Sequence, residues 1–343
     1  MKAVLVKQFG PFDQVQIGEA ADPQPGVGEV VVDLEASDVN FPDILYCEGK
    51  YQVKPPLPFS PGLAGAGRVA LLGESGSGLS PGQRVMVLPA YGTYAEKVRV
   101  RADLCFPMPE RMPFEVGAAF GLVYQTAYLA LVERAACKAG DTVLVLGATG
   151  GVGMATIQLA KALGAGRVIA ATRGDEGVRF ARRVGADVAI DVAGHNLREH
   201  LRDEVRNATG GHGADIVIDP IGGEISAAAL RAVAWCGRLI VVGFASGEIP
   251  QVPANYLLVK NITISGLQST DYRVRQIDKV QAAQAHIFTL WEQGLVEPVI
   301  SRTLPLERFA DALRDLRDGI ARGKIVLTIG SGNWERHYNG GQG

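Results

Sequence analysis

The chain is short of cysteine, of net charge and of long apolar runs, and each shortage removes a class of protein. Its four cysteines, Cys47, Cys105, Cys137 and Cys236, form no Cys-x-x-Cys pair. Neither a zinc ribbon nor a dithiol redox motif is indicated, and reduced cytosolic thiols are the expected state. The formal net charge is only -2 over 343 residues, which offers no basic field to nucleic acid. The basic cluster Arg179, Arg182 and Arg183 falls at helical spacing and reads as a solvated helix face. No uninterrupted apolar stretch is long enough to span a bilayer, and the run after Met1 is too short for a signal peptide. A cytoplasmic protein without membrane or nucleic-acid partners is expected. His195, His200 and His212 are scattered without a metal-ligand set and read as surface histidines.

What the chain does have is a glycine-rich turn in a telling place. Val143-Leu144-Val145-Leu146 runs into Gly147-Ala148-Thr149-Gly150-Gly151-Val152-Gly153, and an apolar helical pattern follows at Val152, Ala155, Thr156, Leu159, Ala160 and Leu163. A buried strand, a tight loop and a helix start let the backbone approach a pyrophosphate, which the free N–H groups of the helix N-terminus attract. Glycine turns also join strands to helices for steric reasons alone. Here a further strand follows about 20 residues on, which is the context a dinucleotide site requires.

Composition and pattern set the rest of the layout. Apolar residues make up 47% and charged residues 20%, enough for a sizeable core, and the length suggests at least two domains. Residues 1 to about 120 carry short strand-like stretches at 30–36, 68–72, 84–88 and 95–100, punctuated by Pro and Gly, and suggest a small barrel-like domain. A helix is predicted over 114–134. Strands and helices then alternate: strands at 143–147, 168–171, 189–191, 216–219 and 239–243, helices at 152–163, 176–184, 197–208 and 224–234. That alternation is the pattern of a doubly wound parallel sheet. A strand at 262–266 and a long helix at 276–293 follow, and 298–303, a helix from Leu306 and a strand at 325–329 look like a return to the first domain. The predicted division is 1–122 with 295–330, 123–294, and a polar tail at 331–343.

Several short segments, in order, carry a family resemblance: Val39-Asn40-Phe41-Pro42-Asp43 with Gly49-Lys50-Tyr51, Pro58-Phe59-Ser60-Pro61-Gly62, Gly82-Gln83-Arg84-Val85, the glycine loop, Asp219-Pro220-Ile221-Gly222-Gly223, Val242-Gly243-Phe244 and Gly323-Lys324-Ile325-Val326-Leu327. The chain resembles the zinc-free quinone oxidoreductase, or zeta-crystallin-like, branch of the medium-chain dehydrogenases/reductases. The resemblance implies an α/β protein with a GroES-like β-rich catalytic domain and a Rossmann domain. Zinc-dependent relatives carry ligands where Asn40 and Leu63 stand and near Leu122, and a cysteine lobe that is missing here between Val85 and Tyr94. Leucine cannot ligate zinc. The family usually has an acidic residue at the position of Ala64.

The end of the second sheet strand bears on the cofactor. An NAD site tends to place Asp or Glu there for the ribose, but this chain has Ala170-Ala171-Thr172-Arg173-Gly174. Arg173 could hold a 2′-phosphate, or it is a loop arginine and Asp175 takes the ribose. NADPH is expected over NADH, although the lysine that relatives often have near Gly177 is absent. The resemblance implies a cofactor site of Gln125, Thr126, Ala148, Thr149, Gly150, Gly151, Val152, Gly153, Arg173, Gly243, Phe244 and Lys324. Gln125, Thr126 and Tyr128 could equally serve helix packing.

Without a metal, hydride transfer favours acceptors that need little polarisation, and conjugated carbonyls delocalise the developing charge themselves. Asn40 occupies a lost ligand position and can donate, Asp43 orients its neighbours or a ribose, and Tyr51 or Tyr46 is a candidate proton donor or a packed domain-boundary tyrosine. A quinone or enone reductase follows as the expectation. The alternatives are an enoyl-thioester reductase and a dinucleotide-binding structural or RNA-binding protein without turnover. The β-branched stretch Asn261-Ile262-Thr263-Ile264-Ser265-Gly266 predicts a sheet edge and a homodimer.

Overall fold

The structure, a computed structural model, describes residues 1–330 apart from 75–77 and 195. His195 and the tail at 331–343 therefore lie outside the described residues. The chain divides into two compact units. One comprises 1–119, 302–318 and the residues from Ile325; the other comprises 120–301 and 319–324. The predicted boundaries at 122/123 and 294/295 thus differ from the observed ones at 119/120 and 301/302. Residues 319–324 also return to the second unit, because Gly323 N–H donates to Thr149 O at 2.9 Å and Lys324 N–H to Val299 O at 2.8 Å.

The first unit is β-rich. β1 (Lys2–Leu5) and β2 (Gln16–Glu19) form an antiparallel pair. Then come β3 (Glu29–Asp38), the short helix α1 (Phe41–Cys47), β4 (Gly65–Leu72), β5 (Arg84–Val87), β6 (Lys97–Arg101) and β7 (Cys105–Pro107). β3 is the hub, since both β4 and β6 pair antiparallel with it. Its final residues Ala36, Ser37 and Asp38 are all buried, so the in–out alternation of a half-solvated strand ends where β3 carries polar side chains into the interior.

α2 (Phe114–Leu129) continues into a π-helical turn, Ala130–Arg134, where Ala135 N–H reaches Ala130 O at 2.9 Å. The whole helix is 21 residues long and its most apolar 18-residue window has mean hydropathy 1.3, enough by length and composition to cross a membrane. The expectation that no uninterrupted apolar stretch is long enough to span a bilayer did not reach this helix, which passes on mean hydropathy although its apolar run is broken. Its apolar run is interrupted by Glu115 and by Tyr124, Gln125 and Thr126, and it ends at Glu133 and Arg134. Its most apolar window is 78% buried within the protein, as in a core helix.

The second unit is a six-stranded sheet whose pairings are all parallel, in the order β10-β9-β8-β11-β12-β13. The strands are β8 (Thr142–Leu146), β9 (Arg167–Thr172), β10 (Val188–Asp191), β11 (Ala214–Asp219), β12 (Val233–Val241) and β13 (Thr263–Gly266). The helices are α3 (Gly151–Ala162), α4 (Gly174–Arg183), α5 (Leu197–Ala208), α6 (Gly223–Ala232), α7 (Ala254–Lys260), α8 (Ser269–Arg275) and α9 (Ile277–Glu292). Val143 to Leu146 are wholly buried, the state of a strand covered on both faces. The predicted helix 224–234 stops at Ala232 instead, because Val233 enters the ladder opposite Ala214. The strand order reverses between β8 and β11, so the crevice at their C-terminal ends is where such sheets bind ligands.

The described residues end with β14 (Ile300–Pro305), α10 (Phe309–Arg317) and β15 (Lys324–Thr328). They complete the larger mixed-origin sheet in the order β14-β15-β3-β4-β5-β7, with β6 on β3.

Candidate active site

In the second unit, the glycine turn joins β8 to α3 at the sheet's switch point. Gly150 N–H closes the turn on Gly147 O at 3.0 Å, Ala148 N–H donates to Ala171 O at 3.2 Å, and Thr149 O accepts Gly323 N–H. Gly153 allows the helix to sit on the turn: a Cβ there would stand 2.3 Å from Gly147 O, closer than any side chain permits. Val152 O accepts the Thr156 hydroxyl at 2.7 Å. Gly150 is the N-cap residue, and no side chain caps it. The first N–H groups of α3 thus carry no side-chain cap, the state in which a helix N-terminus can receive an anion. Lys324 runs past the first turn, with its Cδ 2.9 Å from where a Gly151 Cβ would be. A cation beside a helix N-terminus fits a pyrophosphate.

Opposite this loop, Asp219 ends β11 and organises the next turn. It is fully buried, and its Oδ1 accepts Ile221 N–H and Gly222 N–H at 2.9 Å each. Its carbonyl accepts Gly243 N–H at 3.3 Å. Gly243 and the exposed Phe244 are thereby held on the same side of the sheet as the glycine loop. The residue was visible in the sequence as part of a motif, but its role as the turn's anchor was not.

Arg173 follows β9 and is exposed as the N-cap residue of α4. The next N–H, of Gly174, is taken by Asp191 Oδ1 at 2.8 Å, which also accepts Ala193 N–H at 2.9 Å. These N–H groups, that of Ala193 foremost, pull the Asp191 carboxyl below its ordinary range. Gly177 itself has no room for a side chain: a Cβ would meet Thr172 Oγ1 at 2.3 Å and Thr149 Cγ2 at 3.3 Å.

In the first unit, a buried polar cluster surrounds Asn40 at the start of α1. Asp43 Oδ2 accepts Asn40 N–H at 2.8 Å and the Tyr94 hydroxyl at 2.9 Å. The first of these is half of a capping box, the reason a helix can begin after a strand here. Asn40 Nδ2 donates to Asp38 Oδ2 at 3.1 Å. Asp38 and Asp43 are completely buried and Asn40 is 3% exposed. Burial, then the Asp43 carboxylate, pushes the Tyr94 phenol well up, so it stays a donor. Burial, Asp43 and Glu48 push the Cys47 thiol up to about 12, which leaves it unreactive.

The two tyrosine candidates separate. Tyr46 is buried, whereas Tyr51 is partly exposed and stacks on it with ring centroids 4.6 Å apart. Tyr51 is therefore the one presented to solvent. Gln125 and Thr126 are buried on α2 and turn to neighbouring helices, Gln125 Nε2 to Gln284 Oε1 at 3.3 Å and Thr126 Oγ1 to Ser269 Oγ at 3.1 Å. Helix packing occupies both. Tyr128 does the same with His286 Nδ1 at 2.8 Å. His200 and His212 sit exposed on local partners, Asp191 O and Asp215 Oδ1.

The residues at the zinc positions do not suit zinc. Asn40 gives its amide to Asp38, and Leu63 is 1% exposed and has no donor atom. Among the described residues no three His, Cys, Asp or Glu side chains gather as a ligand set, and catalytic zinc takes three.

Comparison with known proteins agrees with both halves of this geometry. Residues 26–110 match the alcohol dehydrogenase GroES-like domain and residues 151–283 the zinc-binding dehydrogenase domain. The chain is 35% identical to quinone oxidoreductase-like protein 2 of Mus musculus, over 91% of this chain and 88% of that one. It is 33% identical to quinone oxidoreductase of Lama guanicoe, over 96% and 98%. A mycobacterial protein solved in complex with NADPH superposes with a TM-score of 0.88 at 30% identity, over 96% of this chain and 100% of that chain. The fold is that of an oxidoreductase family, and the chain belongs to the quinone oxidoreductase branch of the medium-chain dehydrogenase/reductase superfamily.

Proposed function

We propose that the protein is an NADPH-dependent, metal-independent reductase of quinones or other α,β-unsaturated carbonyls, and that it works as a homodimer. The observation that carries the acceptor class is the cluster around Asn40, where neutral donors and buried carboxylates stand in place of metal ligands. A simple ketone needs strong polarisation of its oxygen. A conjugated acceptor spreads the developing charge, so positioned hydrogen-bond donors suffice.

The cofactor reading rests on the second unit. The N-terminus of α3 and Lys324 receive the pyrophosphate, and Arg173, standing where an NAD site has a carboxylate, receives the 2′-phosphate. The NADPH-bound relative supports this choice. When bound, the nicotinamide supplies the hydride. Tyr51 donates a proton or hydrogen bond to the reduced acceptor, Tyr46 holds its ring by stacking, and Asp43 keeps Asn40 at the head of α1. The homodimer reading rests on β13, which forms one edge of the second unit's sheet, and on the neighbouring α7, which buries none of its residues and leaves Leu258 80% exposed.

The test is NADPH consumption by chelator-dialysed protein with quinones, enals, enoyl thioesters and simple ketones. Quinones or enals should be reduced without added metal, and Tyr51→Phe should lose about 2.7–4 kcal/mol of transition-state stabilisation with NADPH affinity unchanged. Preference for enoyl thioesters, a metal requirement or turnover of simple ketones and alcohols alone would overturn the reading.

A further inference from the structure

β3 brings a second polar side chain to the cluster, two residues before Asn40. Asp38 is fully buried, and its Oδ2 accepts a hydrogen from Asn40 Nδ2 at 3.1 Å. A carboxylate can only accept from the amide nitrogen of asparagine, never from its oxygen. The pair therefore admits one of the two amide orientations of Asn40 and rejects the other.

The register of the sheet explains why the carboxylate stands there. Gly65 lies across from Ser37 in the β3–β4 ladder, and Asp38 N–H continues it onto Ala64 O at 2.9 Å. On the other side of β3, Val326 of β15 lies across from Asp38. Residues directly opposite in antiparallel strands project from the same face, with Cβ atoms about 4.5–5.5 Å apart. Ala64, Asp38 and Val326 thus form one row, and only the middle one bears a polar group. An acid carried at position 64 would project from the same face of the sheet as Asp38, within the reach of directly opposed side chains. Burying such a charge is unfavourable unless hydrogen bonds compensate it, so a carboxylate in this row is a commitment of the fold.

We infer that Asp38 is a positioning residue for the reaction: its carboxylate sets the amide of Asn40, and it does so from the strand opposite Ala64, in the row where an acid at 64 would serve equally. Its effect on turnover rests on the function proposed above. The Asp38–Asn40 bond itself does not.

The experiment joins kinetics with NMR of the Asn40 side-chain amide in the full-length protein without substrate, for Asp38→Ala, Asp38→Asn and Asp38→Ala/Ala64→Glu. Asp38→Ala should lower kcat about 10- to 100-fold, leave NADPH affinity unchanged and speed exchange of the Asn40 amide protons by about tenfold, the worth of one hydrogen bond. The double variant should restore both. Asp38→Asn keeps an acceptor oxygen and should retain most of the turnover and the protection. It also carries the test if Asp38→Ala does not fold. Unchanged amide exchange in the folded Asp38→Ala protein, or a double variant that restores neither property, overturns the inference. If no quinone or enone is reduced by the wild type, the function fails, and the NMR arm still decides the Asp38–Asn40 pairing.

Discussion

Lys324 lies against Gly151 at the first turn of α3: a Cβ on Gly151 would stand 3.3 Å from the Lys324 ammonium nitrogen. The lysine opens β15, far from the glycine loop in sequence. In the proposed cofactor site, charge and helix N-terminus would act on the same group, the pyrophosphate common to both nicotinamide dinucleotides. Lys324→Ala should weaken NADPH and NADH alike by about 1.5–3 kcal/mol, the range for hydrogen bonds to charged groups. Isothermal titration would show it, and a loss confined to one cofactor would place the lysine elsewhere.

Arg173 should behave differently. It is exposed at the head of α4, beyond the strand end where a ribose carboxylate is missing. Arg173→Ala should cost NADPH about 1–3 kcal/mol and leave NADH nearly untouched. Equal losses for both, or none, would remove Arg173 from the 2′-phosphate site.

The loop that carries Arg173 is tied by Asp191, whose carboxyl is pulled below its ordinary value of 3.8 by the N–H groups of Ala193 and Gly174. A folded-state value below the unfolded one contributes stability at pH above the unfolded value. That stability is lost as pH falls through the folded value. The stability gap between wild type and Asp191→Asn in denaturant titrations should be open at neutral pH and close in acid below 3.8. A gap independent of pH would mean that the charge is not what ties the loop.

The edge of β13 and the uncovered α7 lead to a fourth expectation. Light scattering at micromolar concentration should give a dimer. Replacing both Leu258 and Val259, 80% and 74% exposed, by glutamate should shift it to monomer without loss of NADPH binding, since neither residue lines the glycine loop. A wild-type monomer would reject the arrangement.

Short-range pattern was sufficient for the alternation of strands and helices from β8 to β12, but not for β1, β2, α1, α7 or α8. Apolar periodicity and glycine placement located the β8–α3 turn, and α5 spans Leu197–Ala208 as predicted, because an amphipathic helix is written in neighbouring residues. The placement of Thr263–Gly266 at a sheet edge was legible from its β-branched run in the same way. Partners distant along the chain were not legible. Tyr94 meets Asp43 across 51 residues and Gln125 meets Gln284 across 159, and nothing local to either announces the other. The end of α6 at Ala232 was decided by the ladder that Val233 joins, not by helix propensity. Asp38 lies beyond the stretch 30–36 predicted as a strand and carried no reading from sequence; the register sets it opposite Ala64 and beside Asn40. Sequence by itself determined which segments become strands, helices and glycine turns, since these depend on contacts within a few residues. Tertiary structure alone decided which buried polar groups share a hydrogen bond, because an unpaired buried donor or carboxylate is penalised and its partner is chosen by strand register and helix packing rather than by position in the chain.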